Sequence, residues 1–352
     1  MEYKEVEFVL KGRYADRYRW ENLTTTWGDG SDSRPTGQDI IDDENLRGKL
    51  SDKVFLVTGC SSGAGVATVE ALTATGATVF GTARDVEKAK AALRPVLDSG
   101  RVHVLYMDHT DLATVRTCAA EFLAAAPGPG RLNVLVCNAA VMAPPYALTK
   151  DGFETQIATN HLAHFLLFEL LKDALLTSST PEFNSRVVSV SSTGHRLGQV
   201  DLEDLNYTNG RTYEAGAAYG QSKTACIWFA NQVERLYGAR GLHANSLMPG
   251  GWQSGLQKYV RAYLDENWNS DPKVLKLMST VEQGCATSVW AAVSRDLEGK
   301  GGLYLEGCSV SGQTPDGVHP AEYGYAPWAM DPESEGRLWN ISKQLVGISG
   351  ED

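Results

Sequence analysis

Lys53-Val-Phe-Leu-Val-Thr-Gly-Cys-Ser-Ser-Gly-Ala-Gly-Val66 is the stretch whose reading decides the fold. Val54 to Val57 is an unbroken apolar run, the composition of a strand buried on both faces. It leads directly into Thr58-Gly59-Cys60-Ser61-Ser62-Gly63-Ala64-Gly65 and then into an alanine-rich helical stretch. Gly59 permits the tight turn leaving the strand, Gly63 lets backbone approach a pyrophosphate, and Gly65 lets the helix pack close to the sheet. A helix that begins there offers unpaired N–H groups and a positive dipole end to phosphate. Glycines alone are also compatible with a plain loop, so the strand before and the helix after carry the reading.

Working outward, the alternation continues. Apolar strand candidates are Val54 to Val57, Thr78 to Thr82, Val102 to Met107, Asn133 to Val136, Arg186 to Val190, His243 to Leu247 and Gly302 to Leu305. Helical candidates lie between them at about 64–75, 86–97, 112–125, 151–176, 215–237 and 281–294. Continuous apolar strands joined by helices predict an α/β fold: a single Rossmann-type doubly wound parallel sheet of about seven strands with helices on both faces. Ligands of such folds sit at the carboxyl ends of the strands. Residues 1–50 read as an N-terminal extension, with Trp20 and Trp27 among polar residues and a short strand candidate at Glu5-Val-Glu-Phe-Val-Leu10. An arm packed on the body is the preferred reading, a lid or dimer contact the alternative. Residues 51–350 form the expected catalytic domain, with a substrate lid at about 252–280.

The chain has 352 residues, 43% of them hydrophobic, a formal net charge of −11 and a pI near 5.2. That acidity argues against nucleic acid and anionic membrane surfaces as partners, and favours a small molecule. Cys60, Cys118, Cys137, Cys226, Cys285 and Cys308 are scattered, which suggests buried thiols in a reducing compartment. The N-terminus lacks the apolar core of a signal peptide, and the apolar run from Leu162 to Leu171 contains His164 and Glu169, so a cytoplasmic chain with no integral membrane segment is expected. His161 and His164 lack a carboxylate or third ligand nearby in sequence, so no metal site is expected.

The spacing Gly-xxx-Gly-x-Gly resembles the short-chain dehydrogenase/reductase superfamily, and further motifs follow in that family's order. These are Asn138-Ala139-Ala140, Asn160-His-Leu-Ala-His164, Val188-Ser-Val-Ser-Ser192, Tyr219-Gly-Gln-Ser-Lys223 and Pro249-Gly250-Gly251, and the resemblance covers about residues 52–310. Val190-Ser-Ser-Thr-Gly-His195, the insert from Arg196 to Ala218 and the tail from Asp331 to Trp339 are similar to its retinol-dehydrogenase-like and carbonyl-reductase-like branch. Two departures from the pattern are Ala64 in place of a branched residue and the Cys60 thiol in the turn, which would loosen the pyrophosphate site slightly.

Tyr219 and Lys223, four apart on a helix, share a face. The ammonium can stabilise phenolate, so that Tyr219 acts as general acid or base. Tyr146-Ala-Leu-Thr-Lys150 has the same spacing but follows Pro144-Pro145 in a predicted loop, and is set aside. The resemblance implies that Ser192 polarises the substrate oxygen and that Asn160 holds a helix bend and a proton-relay water. Alternation along the strand makes Ser191 and Ser192 diverge. For the cofactor, the resemblance implies a cradle of Gly59, Ser61, Ser62, Gly63, Ala64, Gly65, Asn138, Ala139, Tyr219, Lys223, Pro249, Gly250, Gly251 and Ser254, with Asp108 and His109 bordering the adenine. Ala83-Arg84 stands where an NAD enzyme carries an acid, and Arg84 suits the 2'-phosphate of NADP(H), with Asp85 as an unfavourable neighbour.

The expectation is therefore an NADPH-dependent reductase of a ketone or aldehyde, reversibly an alcohol dehydrogenase. Trp252, Leu256, Tyr259, Val260, Tyr263, Leu264 and Trp268 suggest a bulky apolar substrate, with His195 at the pocket mouth or in a structural role, and Trp252 and Leu256, as candidate contacts. Helix packing or a subunit contact explains the same stretch. Enone reduction, alcohol oxidation and a non-catalytic NADP-binding interaction protein are the rival readings, and homo-oligomerisation is left open.

Overall fold

The computed structural model describes residues 9–23, 30–268, 270–315, 317–319 and 321–349. Glu5 to Phe8 and Trp27 lie outside the described residues. Among the described residues eight strands form one sheet: β1 (Val54–Thr58), β2 (Thr78–Ala83), β3 (Val102–Tyr106), β4 (Val134–Cys137), β5 (Ser185–Val190), β6 (Leu242–Met248), β7 (Tyr304–Glu306) and β8 (Ser309–Val310). Their order is β3-β2-β1-β4-β5-β6-β7-β8, and the first seven run parallel. The strand order reverses between β1 and β4, which opens the crevice in which such sheets bind ligands.

The expected seven strands are present, each within a residue or two of its predicted bounds, and β8 is an addition. It pairs antiparallel with β7 across Gly307 and Cys308, whose φ angles of 55° and 49° match the two-residue hairpin turn whose twist suits a sheet. Two residues are too few to show a sequence period.

Side-chain alternation splits the apolar strands between two cores. Phe55, Val57, Val134, Val136, Val188 and Leu247 face a layer containing α1 (Gly37–Asp43), α2 (Ala64–Thr73) and, further along the chain, the helix Ala286–Val293. Val54, Leu56, Leu135, Cys137 and Val187 face the opposite layer. That layer holds α4 (Leu112–Ala125), α5 (Ala163–Ser178) and α6 (Ala215–Tyr237); α3 (Val86–Ala92) flanks β3. With Ala286–Val293 as α7, the C-terminal α8 (Pro332–Leu345) lies against α6, its Trp339 among Phe165, Phe168 and Phe229.

Residues 9–23 and 30–50 share the first core. Ile40 and Ile41 of α1 are fully buried, and a Cβ on Gly37 would stand 2.7 Å from Cys285 Sγ and 3.0 Å from Ala71 Cβ, so glycine sets the close approach of α1 to α2 and α7. Lys11 exchanges both backbone hydrogen bonds with Val310 of β8. Arg34 makes a buried bidentate pair with Asp32 and donates to the carbonyls of Leu277 (2.9 Å) and Met278 (2.7 Å), tying the extension to the end of the 252–280 segment.

All six cysteines are buried free thiols. No helix among the described residues is long and apolar enough to cross a membrane.

Candidate active site

The glycine turn sits at the carboxyl end of β1. Gly59 has φ 76°, and a Cβ on it would lie 2.8 Å from Ala139 Cα, so the turn packs directly on the loop after β4. A Cβ on Gly65 would stand 2.2 Å from Gly59 O and 2.8 Å from Asn138 Nδ2, which makes Gly65 the closure of the turn on itself rather than a spacer between helix and sheet. Gly63, with φ 63°, is open on its Cβ side: the nearest atom is Trp252 Nε1 at 4.0 Å. It caps α2 without a side-chain hydrogen bond. Ser61 is half-buried, Ser62 exposed and Ala64 buried. Cys60 turns inward, its thiol donating to Val57 O and packing against Gly81, so it does not border the outer face of the turn.

Thr58 links the turn to its neighbours. Its Oγ1 accepts from the N–H groups of Asn138 and Ala139, both at 2.9 Å, and pairs with His164 Nε2 at 2.8 Å. Asn138 Nδ2 donates back to Thr58 O at 2.8 Å. His164 Nδ1 lies 3.0 Å from Asn160 O, so the tautomer that donates there leaves Nε2 to accept the Thr58 hydroxyl. Burial, then the neighbouring His109, holds His164 well below the usual imidazole range. His161 pairs with Ser342 at 2.7 Å and is pushed down to about 3 by burial.

Asn160 lies in a π-helical turn, Ala158–Leu162, ahead of α5. Its side chain accepts from Val141 N–H (2.9 Å) and donates to Val141 O (3.0 Å) and Ser222 Oγ (2.9 Å). Those three bonds fix the loop after β4 to α6. Ser222 was not singled out in the sequence; its place inside the Tyr-xxx-Lys stretch was the available signal.

The serine pair divides as alternation predicts. Ser191 is buried and donates to Lys223 O at 2.8 Å, whereas Ser192 is half-buried, with Oγ accepting from Gly194 N–H at 3.0 Å. Gly194 then brings serine and tyrosine together. A Cβ on it would lie 2.6 Å from the Tyr219 ring and 3.3 Å from Ser192 Oγ, so only glycine lets both crowd the same point. Lys223, 2% exposed, donates to Val190 O at 2.9 Å and stands 5.8 Å from the centre of the Tyr219 ring. The decoy pair is separate: Tyr146 is exposed and bonds Asn206 O, while Lys150 pairs with Asp111.

His195 is not at a pocket mouth. It is fully buried, its Nδ1 2.6 Å from Ser192 O and its Nε2 accepting from Ala326 N–H at 2.9 Å, and burial pushes it down to about 4. Its role is to brace the serine turn.

Arg84, just past β2, is exposed and has neither an ion pair nor a hydrogen bond among the described residues. Asp85 does not neutralise it, because that carboxylate caps α3 by accepting from Lys88 N–H at 2.9 Å. Past β3, Asp108 accepts from Thr110 N–H and Oγ. Beside it His109 is buried, packs edge-to-face on His164, is pushed down to about 4 and leaves Nε2 without a partner.

Beyond β6, Pro249, Gly250 and Gly251 form a half-buried turn, with Gly251 O accepting from Ser279 N–H at 2.7 Å. Trp252 packs inward: a Cβ on Gly284 would fall 2.5 Å from its ring, and its Nε1 is buried without a partner beside Gly63. Ser254 caps the turn Gly255–Gln257, and Leu256 is half-buried. Tyr259 and Tyr263 are 48% and 59% exposed, so these two aromatics face water rather than a substrate wall. A cavity of about 60 Å³ opens between Thr193, Met248, Pro249, Glu306, Tyr18 and Tyr323.

Residues 53–265 match the family model described as short chain dehydrogenase. The chain is 46% identical over 338 residues to "Short-chain dehydrogenase/reductase prx1" of Penicillium roqueforti, covering 96% of each. It is 31% identical over 301 residues to retinol dehydrogenase 13 of Homo sapiens, covering 85% of this chain and 86% of that one. Among solved structures, an uncharacterised protein from Mycobacterium paratuberculosis is 33% identical with a TM-score of 0.62, over 84% of this chain and 93% of that one.

Proposed function

The chain belongs to the short-chain dehydrogenase/reductase family of oxidoreductases, and on that premise we propose that it reduces a ketone or aldehyde with NADPH, and in reverse oxidises the alcohol. The observation that carries this reading is the convergence of Ser192 Oγ and the Tyr219 ring on Gly194, with the Lys223 ammonium behind the ring.

The residues suit a dinucleotide. Gly63 leaves open space where a Cβ would stand, α2 begins without a side-chain cap, and the buried Trp252 N–H beside that space lacks a partner. Backbone N–H groups at a helix start, joined by one indole donor, fit a pyrophosphate. The exposed, unpaired Arg84 past β2 fits a 2'-phosphate, with its fork available for bidentate pairing. When bound, the nicotinamide supplies the hydride.

This chain's residues supply the rest. Gly194 N–H occupies an acceptor site on Ser192 Oγ, so the Ser192 hydroxyl proton is free to donate to the substrate oxygen. Tyr219 has no hydrogen bond from its hydroxyl to any described residue, which leaves its proton for that same oxygen as charge develops. Lys223 spends one donor on Val190 O, and two remain for ribose hydroxyls and for stabilising phenolate. The side chains of Met248, just before the Pro249 turn, and Leu277 give the rim of the site an apolar character that favours a carbonyl compound with an apolar body.

NADPH consumption over a panel of ketones and aldehydes, in wild type and Tyr219→Phe, tests the assignment. The expected result is a fall in kcat of about 10²- to 10⁴-fold in the variant. Equal rates, or tight NADPH binding with no turnover of any carbonyl, would overturn it.

A further inference from the structure

We propose that Glu306 forms a subsite beside the reacting centre that binds a second, uncharged oxygen substituent of the substrate, a hydroxyl or a carbonyl. The proposal rests on the reading of the chain as a carbonyl reductase.

Register places the residue. Glu306 ends β7 and stands opposite Met248 of β6; Leu247 stands opposite Val190 of β5, and Ser191 N–H donates to Leu247 O. Glu306 therefore lies in the row of the serine pair at the carboxyl edge, two strands away, or roughly 10 Å at the usual strand spacing. It lines the cavity that also touches Thr193, next to Ser192, and Met248.

The side chain is 1% exposed and half-satisfied. Its Oε2 accepts from Ser311 Oγ at 2.7 Å and from Gly324 N–H at 2.5 Å, whereas Oε1 has no partner. A buried polar atom left unpaired is costly, and Glu306 lines a cavity that can hold the missing partner. Two donors on Oε2 fix it as the acceptor oxygen, so any proton on the carboxyl resides on Oε1. Burial lifts the group to about 7, against the pull of Arg196, Ser311 and Gly324. Near neutral pH, Oε1 thus meets a carbonyl as donor or a hydroxyl as acceptor.

Two of the polar side chains that share the cavity are already engaged. Arg34 gives its donors to Asp32 and to two carbonyls, and the Tyr18 hydroxyl pairs with Cys308 Sγ at 3.6 Å. With Arg34 engaged, the faces of Tyr18, Met248 and Tyr323 beside the Glu306 carboxyl favour a neutral guest over an anion. About 60 Å³ admits a small polar substituent, not a whole substrate.

Two ketones that differ in one distal oxygen provide the test: 4-cyclohexylcyclohexanone and 4-(4-hydroxycyclohexyl)cyclohexanone. Wild type should favour the hydroxylated ketone about tenfold in kcat/KM, the worth of one buried hydrogen bond. Glu306→Gln, whose amide can present N–H at the Oε1 position, should keep most of that preference. Glu306→Met should lose it, the ratio of the two kcat/KM values falling to about one. No preference in wild type, or an undiminished one in Glu306→Met, would overturn the subsite. Should wild type reduce neither ketone, the functional reading is judged on the carbonyl panel, and the infrared C=O band of the protonated carboxyl decides the subsite. A shift on adding cyclohexanol to wild type, absent in Glu306→Gln, supports the subsite; an unmoved band refutes it.

Discussion

Lys223 and Val190 are joined by a 2.9 Å hydrogen bond that pins a buried ammonium to the last residue of β5, 5.8 Å from the centre of the Tyr219 ring. The sheet thereby sets the position of the charge. Lys223→Met keeps the stem and removes the charge, so kcat should fall by about 10²-fold or more and NADPH binding should weaken with it. Stopped-flow reduction and equilibrium fluorescence titration measure the two separately. Loss of activity with unchanged cofactor affinity would restrict Lys223 to the tyrosine alone.

Ser191 and Ser192 are adjacent but should fail differently. Ser192→Ala removes a donor to the substrate oxygen and should lower kcat by about 10²- to 10³-fold with an unchanged melting temperature. Ser191→Ala breaks the buried bond to Lys223 O and should cost about 1 kcal/mol of stability. Kinetics and thermal melts on both variants check the division. A larger kinetic loss in Ser191→Ala would reverse the assignment.

Arg84 is exposed and lacks a protein partner, so Arg84→Ala should leave stability unchanged. The same change should lower NADPH affinity by about 10- to 100-fold and leave NADH affinity alone, since a charge-assisted pair to the 2'-phosphate is what it removes. Calorimetric titration with both cofactors reads this out. An unaltered NADPH-to-NADH ratio would detach Arg84 from the phosphate.

Acid should destabilise the fold well above the carboxylate range. His109 and His195 are held near 4 and His161 near 3 by burial, all below the ordinary 6.5. The unfolded chain takes up their protons first. Their stabilisation is therefore complete above about pH 6.5 and drains away as pH falls towards 4, on the order of 3 kcal/mol for each histidine. Glu306, raised to about 7, acts with the opposite sign between its ordinary 4.5 and 7 and offsets only part of this. Melting temperature should drop steadily from pH 7 to pH 5, and a flat profile would show that these rings are not buried neutral.

The sheet was legible because each parallel strand is an apolar run coated on both faces, and because Gly59, Asn138, Ser192, Tyr219 and Pro249 occur in sheet order. Ser192 was separable from Ser191 by alternation alone. His195 stood open between a pocket contact and a structural role, and only the distant Ala326 N–H shows that it is a buried brace. Composition marks Tyr259 and Tyr263 as aromatic without showing that their faces meet water. Gly194 and Glu306 depend on contacts across the sheet or the hairpin, and Arg34 reaches residues 277 and 278 from far away in sequence. No local pattern encodes such pairings.

The bridge between Lys11 and Val310 has a consequence for how molecules of this protein meet. β8 is the outermost strand, and a bare outer strand offers open N–H and C=O groups to any extended segment that drifts past. By pairing with Val310 in both directions, Lys11 occupies that position with the chain's own backbone and sets a charged side chain beside it. The extension thus acts as a selvedge, finishing the sheet so that it does not ravel into its neighbour.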